Sequence, residues 1–303
     1  MKDIDEHRLI IDSLAGSLPT LPVLMNELMT TLANEDAAVR AVCDIIRLDQ
    51  AVCSQLLKAV NTFKIREGSA DRITDINEAI QKLGFLRVKE ISLTVSVLKF
   101  YCENESTKDF NPNGLWSHSV AVAIASAVVS DYISFSQPEQ AYTCGLLHDI
   151  GKVAKYKYNA KLFSKSVRSA GRKGVDLYEL ETSRKLVRHD LLGYLICKEW
   201  AISPMAEAVS LWHHEEERSN RLDIEDPYTH KLIDIVYLAN KVAHKLNIGN
   251  SGHSIYRAPS PKFLKRMQFD DEDLDAIEGM INENIETNSL AFSLFAQDRT
   301  ESS

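Results

Sequence analysis

Apolar residues recur at intervals of three and four along almost all of this 303-residue chain, and that spacing leaves little room for anything but helices. Leu21, Leu24, Met25, Leu28 and Met29 form one such stripe, and Val52, Leu56, Leu57 and Val60 another. Alternating β-branched runs with hairpin turns are missing, apart from short ambiguous pieces such as Ile10-Ile11. Small polar residues mark the helix starts. Thr20 stands ahead of Pro22, Ser136-Gln-Pro-Glu139 has a capping-box pattern with proline in the first turn, and Ser203-Pro204 repeats the device. An apolar content of 45% supplies a sizeable core. The expected fold class is all-α.

The polar, turn-rich stretch from Cys102 to Gly114 is the best internal boundary. It predicts an N-terminal helical lobe over 1–105 and a second helical core over 106–250. A loop and a C-terminal helix fill 251–303, with irregular chain from Asn247 to Pro261, a final helix of roughly Asp270 to Phe295 and a frayed tail from Gln297. The acidic segment Glu215 to Pro227 is read as a solvated loop, with a lid as the alternative.

A net charge of −8 and the lack of a dense Lys/Arg block argue against a surface that coats nucleic acid. The basic run Lys161 to Lys173 is read as the solvated face of a helix. Five cysteines, Cys43, Cys53, Cys102, Cys144 and Cys197, form no CxxC pair and mostly sit in apolar helical runs, as small hydrophobes in a reducing compartment do. The N-terminus has no apolar signal core and no stretch reaches the ~18 apolar residues a bilayer requires, so the expected setting is cytoplasmic, with no membrane partner.

Five histidines and an aspartate stand out against this background: His118, His148-Asp149, His189 and His213-His214. Each lies in an apolar helical run, where an unpartnered imidazole is unfavourable. Imidazole and carboxylate are the donors that hold iron, manganese, nickel or zinc, and a carboxylate such as Asp149 can bridge two ions. The set is a candidate two-metal centre. His118 opens one long apolar helix and His148 closes another, whereas His213 and His214, roughly 100° apart around a helix, can face two neighbouring groups. Lys152, one turn beyond His148, can pair with Asp149 or hold a phosphate oxygen. The remaining histidines, His7, His230, His244 and His253, lack partners at ligand spacing and are read as structural or surface residues. Trp116, Trp200 and Trp212 fit helical core patterns better than a base-stacking platform. Ser117 and Ser119 flank His118 without a Ser-His-Asp arrangement.

Other runs in a fixed order point the same way: Leu18-Pro19-Thr20-Leu21-Pro22-Val23-Leu24, Ile45-Ile46-Arg47-Leu48-Asp49-Gln50, Leu56-Leu57-Lys58-Ala59-Val60-Asn61 and Ala79-Ile80-Gln81-Lys82-Leu83-Gly84. With Gly-Leu-Leu-His148-Asp149-Ile-Gly-Lys152, they make the chain resemble the HD superfamily of metal-dependent phosphohydrolases. Within it the resemblance is to the bacterial HDOD (HD-related output domain) branch, over roughly residues 14 to 250. The ~13 residues ahead of it are too few for a sensory domain. The resemblance implies a multi-helix HD core with an N-terminal helical lobe. The related HD-GYP branch hydrolyses cyclic di-GMP, and its pattern implies His118, His148, Asp149, His189, His213 and His214 as metal ligands. Asn240 stands where that pattern has an aspartate, so it is a weaker ligand, through its carbonyl. Asp234 lies about 600° of helix rotation before Asn240, facing about 120° away, and is poorly placed to replace it. The Gly-Tyr-Pro signature is absent after His214, which disfavours cyclic di-GMP hydrolysis.

Two functions follow. The first is a bacterial signalling or regulatory protein with one or two divalent metal ions, iron or manganese ahead of nickel or zinc, acting mainly through contacts with signalling proteins. The second is a metal-dependent phosphohydrolase of a nucleotide or other phosphoester, with Asp149 and Lys152 in catalytic roles. The many imidazoles favour chemistry, and Asn240 with the missing Gly-Tyr-Pro favours the first reading.

Overall fold

A computed structural model describes residues 2–14, 31, 39–66, 72–102, 106–200, 202–253 and 255–287. Its chain divides into two compact units, Pro19–Phe100 and Met1–Leu18 with Tyr101–Ser303. The described residues form helices and connecting loops with no strand, as the apolar spacing predicts. The Leu18–Leu24 motif and the Leu21–Met29 stripe lie outside the described residues.

The Pro19–Phe100 unit contains α2 (Val39–Ile46), α3 (Gln50–Arg66) and most of α4 (Ile76–Cys102), which is interrupted at Gly84. The predicted stripe is buried at Val52, Leu56 and Val60. Val60 packs with Ile73 and Ala79. Asn61 ties α3 to the chain just before α4: its side chain donates to the Leu57 and Ile73 carbonyls at 2.8 Å and accepts from Ile73 N at 2.7 Å. Two of these three bonds hold Ile73, which lies in the non-helical stretch 72–75.

The larger unit is organised around α5 (Pro112–Tyr132), which starts at an Asn111 cap followed by proline. Buried residues surround it, from Leu115 and Trp116 to Val129, so it must be wrapped by other helices. The helices against it are α6 (Pro138–Leu147), α12 (Pro227–Lys245) and α14 (Asp271–Thr287). Around them lie α7 (Ile150–Tyr158), α8 (Ala160–Lys173), α9 (Leu177–Ser183), α10 (His189–Glu199), α11 (Pro204–Trp212) and α13 (Pro261–Met267). Ser203 caps α11 by accepting from Ala206 N, as its sequence predicts. Ser136 does not act this way, since Gln137 occupies the cap of α6 and makes no side-chain bond there. Short α13, inside the tail expected to hold one helix, starts with the same Ser-Pro device at Ser260-Pro261. The stretch expected to be helical beyond Thr287 lies outside the described residues.

The N-terminal helix α1 (Lys2–Leu14) belongs to this unit and packs on α7 and α10. Ile10 and Ile11, ambiguous in sequence, join His7 and Leu14 in one buried stripe at helical spacing. Among the described residues, no helix is long and apolar enough to cross a membrane.

Two glycines set how closely the ligand-bearing elements approach. A Cβ on Gly151 of α7 would fall 1.9 Å from the His189 carbonyl oxygen and 2.6 Å from Gly193 N, so only glycine lets α7 and α10 cross here. Gly249 (φ +71°) presses the chain after α12 onto α5, where a Cβ would lie 2.3 Å from His118 N. Gly151→Ala is therefore expected to destabilise the protein by about 3 kcal/mol through overpacking. A urea midpoint matching wild type would contradict this reading of the crossing.

Candidate metal centre

Six elements deliver the singled-out residues to one place. His118 comes from the second turn of α5, His148 from the end of α6, and Asp149 and Lys152 from the start of α7. His189 is the first residue of α10, His213 and His214 follow α11, and Asn240 lies in α12. Placing ligands at helix ends lets short turns, rather than long loops, fix their directions. His118, His148, Asp149, Lys152, His189 and His213 are all essentially buried.

The donors fall into two sets joined by Asp149. Asp149, His189, His213 and His214 bring four ligand atoms within 4.8 Å of one another, and His118, His148 and Asp149 bring three. Asp149 Oδ1 lies 3.5 Å from His189 Nε2 and 3.4 Å from His213 Nε2, while Oδ2 lies 3.3 Å from His148 Nε2. His189 Nε2 and His214 Nε2 are 2.9 Å apart.

Hydrogen bonds on the outer side fix which nitrogen faces inward. His148 Nδ1 donates to the Gly145 carbonyl at 2.7 Å, His213 Nδ1 to the Ser210 carbonyl at 2.9 Å, and His189 Nδ1 to Glu181 Oε2 at 2.7 Å. Because these partners only accept, each Nδ1 carries the proton and each Nε2 presents a lone pair to the centre. Among the described residues, His148 Nε2, Asp149 Oδ1 and His213 Nε2 are buried without a hydrogen-bond partner. A buried polar atom left this way costs about 1–3 kcal/mol, which a shared cation would remove. The donor set therefore fits a divalent metal ion.

Burial pushes His118 down to about 3 and His213 down to about 4, with the neighbouring His148 adding to both, and lowers His214 strongly. These imidazoles are neutral near pH 7, the form that binds metal. Burial alone would raise the Asp149 carboxyl, but the neighbouring His148 and Lys152 outweigh it and hold it well below the usual carboxylate range.

The two halves differ. On the Asn240 side, His118 Nε2 lies 3.0 Å from Asn240 Oδ1, and Lys152 Nζ donates to Asp149 Oδ2 at 2.7 Å. Lys152 therefore takes the pairing role of its two expected roles. On the other side Glu181, which the sequence does not single out, is fully buried and accepts from His189 N as well as His189 Nδ1. Lys155 donates to Glu181 and, at 2.6 Å, to the Val187 carbonyl. Tyr178 stacks on His214 with centroids 4.4 Å apart, and the Arg188 guanidinium lies over the Tyr178 ring, 5.5 Å from its centroid.

Two further histidines depart from their sequence reading. His244 and His253 are stacked with centroids 4.4 Å apart, and His244 lies 4.6 Å from His118, so they extend the imidazole cluster instead of standing apart. Asp234 receives Arg218, Arg221 and Arg266 and is engaged away from the ligands. Buried Arg221 also donates to the Glu215 and His230 carbonyls, so the acidic loop after His214 is tied down. Trp116 and Trp200 are buried core residues, and Ser119 bonds Tyr101 at 3.0 Å.

Residues 18–216 match the sequence model of the HDOD domain family. A curated relative, an uncharacterized protein of Treponema pallidum (strain Nichols), is 24% identical over 202 residues, covering 65% of this chain and 37% of that protein. Among solved structures, an HDOD domain protein from Geobacter sulfurreducens superimposes with TM-score 0.70 at 20% identity, covering 96% of this chain and 97% of its own. A candidate phosphohydrolase from Shewanella amazonensis SB2B gives 0.66 at 18%, covering 93% and 96%. A candidate signal transduction protein from Marinobacter aquaeolei VT8 gives 0.69 at 14%, covering 94% and 60%. These three are likenesses of fold.

Proposed function

This chain belongs to the HDOD domain family, and we propose that it serves there as a bacterial signalling or regulatory protein built on one divalent metal ion and acting mainly through protein contacts. The observation that carries this is the asymmetry of the centre. Asp149, His189, His213 and His214 would hold the ion, and a closed four-ligand set is the pattern of a structural metal rather than a catalytic one. Its Nε2 and carboxylate donors suit iron or manganese, with nickel or zinc next. The other half has an amide where a second ion would need a carboxylate, and Lys152 already pairs with Asp149 Oδ2, the carboxylate oxygen on the His148 side. A signalling role is also the description of the Marinobacter fold relative.

The second reading, hydrolysis of a nucleotide or other phosphoester, is favoured by one feature. His118, His148 and Asp149 offer three donors, which leaves coordination positions open. A metal there would supply Lewis acidity and a lowered pKa for water. Lys152 would have to leave Asp149 to contact a phosphate.

Asn240→Asp separates the readings. We expect wild type to hold about one equivalent of metal and the variant to approach two, with no hydrolysis of bis(p-nitrophenyl) phosphate by wild type. Unchanged stoichiometry in the variant would count against Asn240 as the weak point. Wild-type hydrolysis abolished by Asp149→Asn would establish the enzymatic reading instead.

A further inference from the structure

We infer that the N-terminal helix α1, which precedes the family-matched residues 18–216, is a positioning element for the four-ligand half of the centre, acting through His7. The inference rests on the one-metal reading for its consequence, though not for its geometry. His7, Ile10, Ile11 and Leu14 form the buried stripe of α1, and a histidine in an apolar stripe calls for a partner. Its partner is specific: Arg188 N donates to His7 Nε2 at 2.9 Å. Arg188 is the residue immediately before His189 and caps α10 without a side-chain bond to the helix, since a guanidinium offers no acceptor; it pairs with Asp190 instead.

The start of α10 is therefore held from two directions. Glu181 accepts from His189 N and His189 Nδ1, and His7 accepts from the preceding amide. The same helix α1 also packs on α7, whose first turn follows Asp149. One element outside the matched region thus braces the two helices that supply Asp149 and His189. Without His7, the part-buried Arg188 amide loses this acceptor, and the backbone carrying His189 loses one of its restraints. Metal affinity depends on such outer contacts to ligands by about 10–100-fold.

The test compares His7→Phe, which keeps a ring without an acceptor there, with His7→Gln, which restores one. Cobalt(II) affinity, read by visible spectra in competition with a chelator, is expected to fall about 10–100-fold in His7→Phe and to recover in His7→Gln. Hydrogen exchange of the Arg188 amide in metal-free protein is expected to be slow in wild type and His7→Gln and fast in His7→Phe. Wild-type affinity and exchange in His7→Phe would overturn the inference. So would fast exchange of the Arg188 amide in wild type, a measurement that stands even if His7→Phe fails to fold. Wild type taking up no cobalt would defeat the one-metal reading, while the exchange comparison would still decide whether His7 holds Arg188.

Discussion

Asp149→Ala is expected to be the most damaging single substitution in the larger unit, lowering stability in the absence of metal by about 3–5 kcal/mol. Asp149 Oδ2 is the ion-pair partner of Lys152, whose side chain is 1% exposed. Alanine leaves that ammonium buried and unpaired. A second loss appears when metal is present, because Asp149 is the ligand common to both donor sets. An ion bound only to the folded state at about 1,000 times its Kd adds about 4 kcal/mol, and the variant forfeits that as well. Thermal unfolding with and without a chelator separates the two parts. Wild type should melt on the order of 10 °C lower with chelator, and Asp149→Ala lower still with no response to chelator. Equal melting of variant and wild type under both conditions would contradict the assignment.

Glu181→Ala is expected to cost a comparable amount, about 3–5 kcal/mol, because it strands Lys155 and removes the one oxygen that accepts from both His189 N and His189 Nδ1. It should also weaken metal binding by about 10–100-fold, through lost control of the His189 ring. Glu181→Gln, which keeps the shape and one acceptor, should fall between the two proteins. The pH dependence has a definite sign. Burial alone would raise the Glu181 carboxyl, but His189 and Lys155 outweigh it and hold the group down at about 2, against an ordinary value of 4.5. Its contribution is therefore complete above pH 4.5 and is lost as pH falls through about 2. Denaturant midpoints of wild type and Glu181→Ala should converge over that range and differ fully at pH 7. A constant gap across it would show that the carboxylate charge is not what stabilises this corner.

The clustering of these residues was legible because five histidines in apolar helical runs are hard to explain separately, and because the helices that close on His148 and His213 open at Pro138 and Ser203-Pro204. Glu181 was not. It is one of 43 acidic residues, eight positions before His189, and only the turn between α9 and α10 reveals that it faces that ring. His244 and His253 escaped for a related reason: their proximity depends on how the chain after α12 folds back, with Gly249 against His118, which periodicity does not encode. His7 had a visible signal, since residues 7, 10, 11 and 14 are spaced as a helix face, but Ile10-Ile11 alone looks equally like a strand fragment. Asp234 shows the converse. Helix geometry correctly placed it off the site, and the structure supplies the reason it is buried, three guanidiniums from Arg218, Arg221 and Arg266.

The most direct test of a one-metal centre is the metal content of protein purified without added metal, measured by elemental analysis on wild type, His214→Ala and His118→Ala. Wild type and His118→Ala should each carry about one equivalent, and His214→Ala should carry almost none. A wild type without metal, or equal loss in both variants, would contradict the account.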